Sequence, residues 1–172
     1  MTDTAVMTSD WPAMAAEDLR TLAWLHAGEQ APEVLVELNA GGFPETLVLV
    51  EADATASRAM SAALRALAGG ARDDSGLPFT NADQLAADYA GIYLTHALRA
   101  SPHESVWRDE DHLMLQGPTF SVREFYRRHG MQVSDWRQRA DDHLTHELQF
   151  VALLLERGQL REAARFLKTL LM

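Results

Sequence analysis

Asp141-Asp142-His143-Leu144-Thr145-His146-Glu147-Leu148-Gln149-Phe150-Val151-Ala152-Leu153-Leu154-Leu155-Glu156-Arg157 is the stretch that decides the fold. At 100° per residue, Leu144, Leu148, Val151 and Leu155 form a narrow stripe, and His143, Glu147, Phe150 and Leu154 lie on its flank. Leu153 lies almost opposite, so that only Thr145, Gln149 and Glu156 make an unbroken polar strip. A helix this apolar around its circumference, stopped by Gly158, belongs at the centre of a bundle. Its first turn is different: Asp141, Asp142, His143, His146 and Glu147 crowd there. Ionisable groups at the start of a buried helix cost stability unless they are paired or open to a cleft.

Working outward from this helix, the rest of the chain reads as helical too. Residues 1–12 read as a flexible leader, and 13–172 as one helical domain. Glu17 to Glu29 carries Leu19, Leu22, Ala23 and His26 on one face, with acids in its first turn. Pro32 opens a second helix over Glu33 to Asn39, and Gly41-Gly42 stops it. Thr46 to Ala52 has the composition of a buried strand but nothing to pair with, and is expected to be helical. Ala54 to Leu67 places Met60, Ala63, Leu64 and Leu67 at helical spacing. Residues 69–79 carry loop chemistry, after which Thr80 or Asn81 caps a helix reaching about Leu98. Pro102 to Pro118 is irregular. A helix opened by Pro118 and Ser121 runs to Gly130, Ser134 or Asp135 restarts the chain, and a last helix begins near Leu160. These readings add up to an all-α, single-domain helical bundle.

Composition narrows the function. The chain has 172 residues and 47% apolar side chains, enough for a substantial core. With 25 acids against 15 Lys and Arg its net charge is −10, which disfavours phosphate-backbone or anionic-lipid binding and favours a cationic partner. The absence of cysteine excludes disulfides, thiolate metal sites and Cys nucleophiles, and fits a cytoplasmic protein. No signal-peptide pattern or membrane-spanning run is expected, because the longest strongly apolar run is Val151 to Leu155.

Three readings of the polar first turn stay open on the residues alone. One is capping, with acids at a helix N-terminus and His143 four residues before Glu147. A second is a metal-dependent hydrolase using His143, His146 and Glu147 with ligands from Asp109 to His112. The order His-Leu-Thr-His-Glu fits neither known zinc-helix spacing. The third is recognition of a cationic partner, since carboxylates at a cleft edge take bidentate bonds from guanidinium groups. A helical adaptor using the apolar C-terminal end is a further possibility. Arg157, Arg161 and Arg165, with Lys168 beyond, form a basic rim on the last helix; its ordinary meaning is a solvated face paired with acids such as Glu162.

Several segments occur in one order: Asp88-Tyr89-Ala90-Gly91-Ile92-Tyr93, Pro102-His103-Glu104-Ser105-Val106-Trp107, Val122-Arg123-Glu124-Phe125-Tyr126 with Gly130, and Asp141-Asp142-His143-Leu144 followed by Glu147-Leu148-Gln149-Phe150. This set resembles the TorD/DmsD/NarJ family of redox-enzyme maturation chaperones over roughly residues 17–171. Ile92-Tyr93 stands for the family's Leu-Phe, His103 for a usual Tyr, and Arg139-Ala140 for Glu-Pro.

The resemblance implies a non-catalytic, cytoplasmic chaperone without a cofactor of its own. It would bind the twin-arginine signal peptide or the apo form of a molybdenum-containing oxidoreductase subunit, and assist cofactor insertion and assembly before Tat export. On this reading Asp142, His143 and Glu147 form a polar edge, while Tyr89, Ile92, Tyr93 and Trp107 form an apolar wall. Glu104 and Ser105 belong to the same binding set. Family members usually continue through further C-terminal helices, and domain swapping is known among them, so a homodimer is a further expectation.

Overall fold

Helices carry all the extended regular structure. The computed structural model describes the backbone of residues 10–52, 54–68, 79–95 and 100–170. Along the chain it shows α1 (Trp11–Ala27), α2 (Pro32–Ala40), a 3-10 turn (Val48–Ala52), α3 (Ala54–Ala68), α4 (Phe79–Tyr89) continued by a π-helical turn (Ala90–Leu94), α5 (Glu104–Arg108), α6 (Gly117–Arg128), α7 (Leu144–Glu156) and α8 (Leu160–Leu170). No strand occurs among the described residues, and the fold is all-α as expected. The expected leader up to residue 9, the expected loop over 69–78 and the last two residues lie outside the described residues.

The chain divides into two compact units, Met1–Ala27 with Arg99–Met172, and Gly28–Leu98. In the first, α1 lies along α7, and α7 also meets α8. Ala15, Ala16 and Ala23 of α1 and Ala152 of α7 are all buried, and such small side chains permit close approach of helices. The core joins Val122 and Tyr126 of α6, Phe150, Val151 and Leu154 of α7, and Ala163 and Phe166 of α8. Its centre is aromatic: the Phe150 ring lies 4.6 Å from Tyr126 and 4.8 Å from Phe166, centroid to centroid. Burying each such side chain contributes about 1.5–3 kcal/mol. On the surface, the Arg20 guanidinium of α1 forks onto the Glu156 carboxylate of α7, both bonds 2.7 Å long.

Three expectations need adjustment. Helix α1 starts at Trp11, so Glu17 and Asp18 fall beyond its first turn, which holds no acid. On α7 the deepest large side chains are Phe150 and Leu154, from the expected flank, while Leu144, Leu148 and Leu155 are half-buried. The helix is packed on more than one side, so its best-buried residues need not be those of the most uniform stripe. Between Pro102 and Pro118, α5 breaks the expected irregular stretch.

The second unit pairs α2 with α3, and α3 with α4. Pro32 occupies the first turn of α2, and the chain leaves it through Gly41 and then Gly42 at φ +82°, where a side chain would be strained. Thr46 to Ala52 is helical only in part, as the 3-10 turn. Among the described side chains of α3, Ser57, Ser61 and Leu64 are buried and Met60 and Ala63 exposed, while Leu67 of the expected face lies outside them. The Ser61 hydroxyl meets both the Ser57 carbonyl oxygen and the Glu45 carboxylate, so this buried hydroxyl is satisfied. α4 passes into the π turn rather than running on as a regular α-helix, and Thr95 N–H closes that turn on the Ala90 carbonyl at 2.8 Å.

Candidate functional site

Two segments distant in sequence meet in the first unit. Residues 102–105 and 141–144 run antiparallel, with His103 opposite His143. Glu104 N–H donates to the Asp142 carbonyl at 3.0 Å, and Leu144 N–H to the Pro102 carbonyl at 2.8 Å. The two imidazoles meet edge to face, centroids 5.0 Å apart. These bonds set the N-termini of α5 and α7 side by side.

A helix leaves its first N–H groups without intrahelical partners. Asp142 supplies one for α5, its Oδ2 accepting from Ser105 N–H at 2.8 Å. The sequence predicts Asp142 in the first turn of its own helix; the structure has α7 start at Leu144, with His143 as its cap. The His143 Nδ1 accepts from Thr145 N–H at 3.1 Å. That contact requires a bare Nδ1, hence a neutral ring. Burial, assisted by His103, Arg139 and His146, agrees by driving the His143 pKa down to about 3. Asp141 faces the other way, toward α6. Its Oδ2 accepts from Arg123 Nη2 at 2.7 Å and Nε at 3.1 Å, and its carbonyl accepts from the Tyr126 hydroxyl at 3.0 Å.

Glu104 from α5 and Glu147 from α7 complete a carboxylate cluster with Asp142. Burial raises the pKa of Glu104, although Arg108, four residues on, pulls it back. Glu147 is pushed up to about 9 by burial, then by Glu104 and Asp142, so it holds a proton at neutral pH. The proton gives the Glu104–Glu147 contact a donor, which two ionised carboxylates would lack. Glu104 Oε2, Asp142 Oδ1 and Glu147 Oε1 are buried atoms without a hydrogen-bond partner when all three are ionised. The cluster is therefore rich in acceptors and short of donors, and a planar cation with several N–H groups matches that deficit.

The expected site residues fall in three places. Glu104, Ser105, Asp142, His143 and Glu147 converge at the α5–α7 junction, but not as an exposed lip. Asp142 is 0% and His143 5% exposed, because both hold backbone N–H groups inside. Trp107, on α5, is 59% exposed, with its indole N–H on the Ser101 carbonyl. Tyr89, Ile92 and Tyr93 are half-buried in the other unit, where the two tyrosine rings stack 4.7 Å apart. Arg108 escaped the sequence reading, although its i, i+4 spacing from Glu104 was a legible signal. The hydrolase reading fails locally: the His143 Nδ1 is engaged in capping, and no group of three His, Asp or Glu among the described residues is placed to hold a metal.

No helix among the described residues is long and apolar enough to cross a membrane. No curated protein and no solved structure matches the chain. The family model described as nitrate reductase delta subunit matches residues 51–171, a span that holds every site residue named above. With that model matched over more than half its length, the chain belongs to the nitrate reductase delta subunit family, TorD-type chaperones of molybdoenzyme maturation that are not themselves catalytic.

Proposed function

We propose that this chaperone works in the cytoplasm, where it binds the twin-arginine signal peptide or the apo form of a molybdenum-containing oxidoreductase subunit until the cofactor is inserted and, for exported clients, until Tat export. The observation that carries the reading is the carboxylate cluster at the α5–α7 junction, where the buried oxygens Glu104 Oε2, Asp142 Oδ1 and Glu147 Oε1 have only the Glu147 proton to share among them. A guanidinium offers five N–H donors and the positive charge that answers buried carboxylates. Glu104 is the direct acceptor in this account, and Glu147 accepts through its carboxyl oxygen that bears no proton. Asp142, His143 and Ser105 are positioning residues, holding the two helix starts from beneath. Trp107 offers an exposed apolar face for the uncharged part of the peptide. Tyr89, Ile92 and Tyr93, in the other unit, are proposed as a separate apolar contact for the client, supported by the π turn that carries Ile92 and Tyr93, because such turns are frequent at functional positions.

The test is calorimetric titration of a synthetic twin-arginine peptide. Replacing both arginines by lysine weakens binding about tenfold or more, since the fork is lost while the charge stays. A Glu104→Gln/Glu147→Gln variant loses binding to a similar degree, and Asp142→Asn weakens it less. Unchanged affinity in a double variant that melts cooperatively refutes the site.

A further inference from the structure

Helix α8 carries two opposed faces. Ala163 and Phe166 are buried in the core, while Arg161, Ala164, Arg165 and Lys168 lie together on an exposed face. With Arg108 and Thr169 these four line a concave basin of about 650 Å³. Arg108 is held by the Glu104 carboxylate and by the Thr169 carbonyl, the latter at 2.7 Å. Arg165 reaches Glu162 at 4.0 Å, an acid that also faces His129 at 3.6 Å. Arg161 and Lys168 have no acidic partner among the described residues. In a chain of net charge −10, four cations thus gather around one basin and are only half neutralised by their neighbours. Like charges one turn apart disfavour a helix, so the arrangement gains from an anion that answers them.

We propose that this basin binds a small ligand through a phosphoryl group. Three guanidinium forks and one ammonium match clustered phosphoryl oxygens, and a phosphoryl group brings up to two charges to one point, which a carboxylate does not. The small side chain of Ala164 lies among the cations and leaves them open to an anion from solvent. Arg108 links the basin to the carboxylate cluster: a phosphoryl group engaging it competes with Glu104 for the same Nη1. The basin stands independently of the client-peptide reading, and its test uses no peptide.

The probe is pyrophosphate, titrated calorimetrically at low salt into the full chain. Wild type binds it, and Arg161→Gln/Lys168→Gln, at two exposed positions, weakens binding about tenfold. Glu104→Gln, which frees Arg108, tightens it about threefold by removing the competitor. Matching melting curves establish that the variants fold. No pyrophosphate binding, or equal binding by the double variant, overturns the site. So does a glutamate-rich peptide that binds where pyrophosphate does not, which would make the face a protein-docking surface. Unchanged affinity in Glu104→Gln overturns the sharing of Arg108.

Discussion

Replacing Glu147 by Gln removes the proton that the α5–α7 junction holds most tightly, while keeping the shape and a hydrogen-bond donor. The Glu147 carboxyl titrates near 9 in the folded chain against an ordinary value of 4.5. Below the ordinary value both folded and unfolded states carry the proton, and the junction is at full strength. As pH rises between the two values the unfolded chain releases the proton and the folded one retains it, so stability falls by about 1.4 kcal/mol per pH unit at most. Because Glu104 shares the contact, part of this penalty belongs to the pair. The difference between wild type and Glu147→Gln therefore changes by about 2–4 kcal/mol from about pH 5 to about pH 8. For a chain of this size that corresponds to about 5–15 °C in melting temperature. Circular-dichroism melts of both proteins across that range measure it, since every other titrating group largely cancels in the difference. Wild type loses stability with rising pH relative to the variant, and the variant is the more stable above neutrality. Parallel pH profiles would refute the assignment of a proton-bearing carboxyl to this junction.

Two further predictions concern the first unit. Arg20 and Arg123 both place two guanidinium N–H groups on a carboxylate, but Glu156 is a third exposed and Asp141 only 3%. Urea titration should show Arg20→Gln costing less than about 1 kcal/mol and Arg123→Gln about 2–4 kcal/mol, because the second leaves a buried charge uncompensated. Tyr126→Phe leaves the ring packing intact and removes the donor to the Asp141 carbonyl, at a cost of about 1–2 kcal/mol in the same assay.

The α7 stretch shows how far local pattern reaches. Leu144 to Leu155 has helical period whatever surrounds it, and Gly158 at φ +67° ends it as the sequence implies. The crowd at 141–147 was legible as a problem, since so many ionisable groups precede an apolar run. Its solution was not legible. Asp142 caps α5, 37 residues earlier in the chain at the bond it makes, and Asp141 turns to Arg123 on α6. Buried serines on α3 escaped the reading for a similar reason, because hydrophobicity does not report a Ser–Glu contact spanning 16 residues. The family resemblance includes the segments at 102–107 and 141–150; their pairing through His103 and His143 comes from the structure.

Helix periods, Gly and Pro stops, a missing cysteine and an excess of acid are properties of neighbouring residues or of composition, and the amino-acid order alone determines them for this chain. Which carboxylate is buried, which keeps its proton and which arginine answers it depend on contacts between segments far apart in sequence. Desolvation and Coulomb energy act through space rather than along the chain, so the α5–α7 junction acquires its character only when the tertiary fold brings Glu104, Asp142 and Glu147 together.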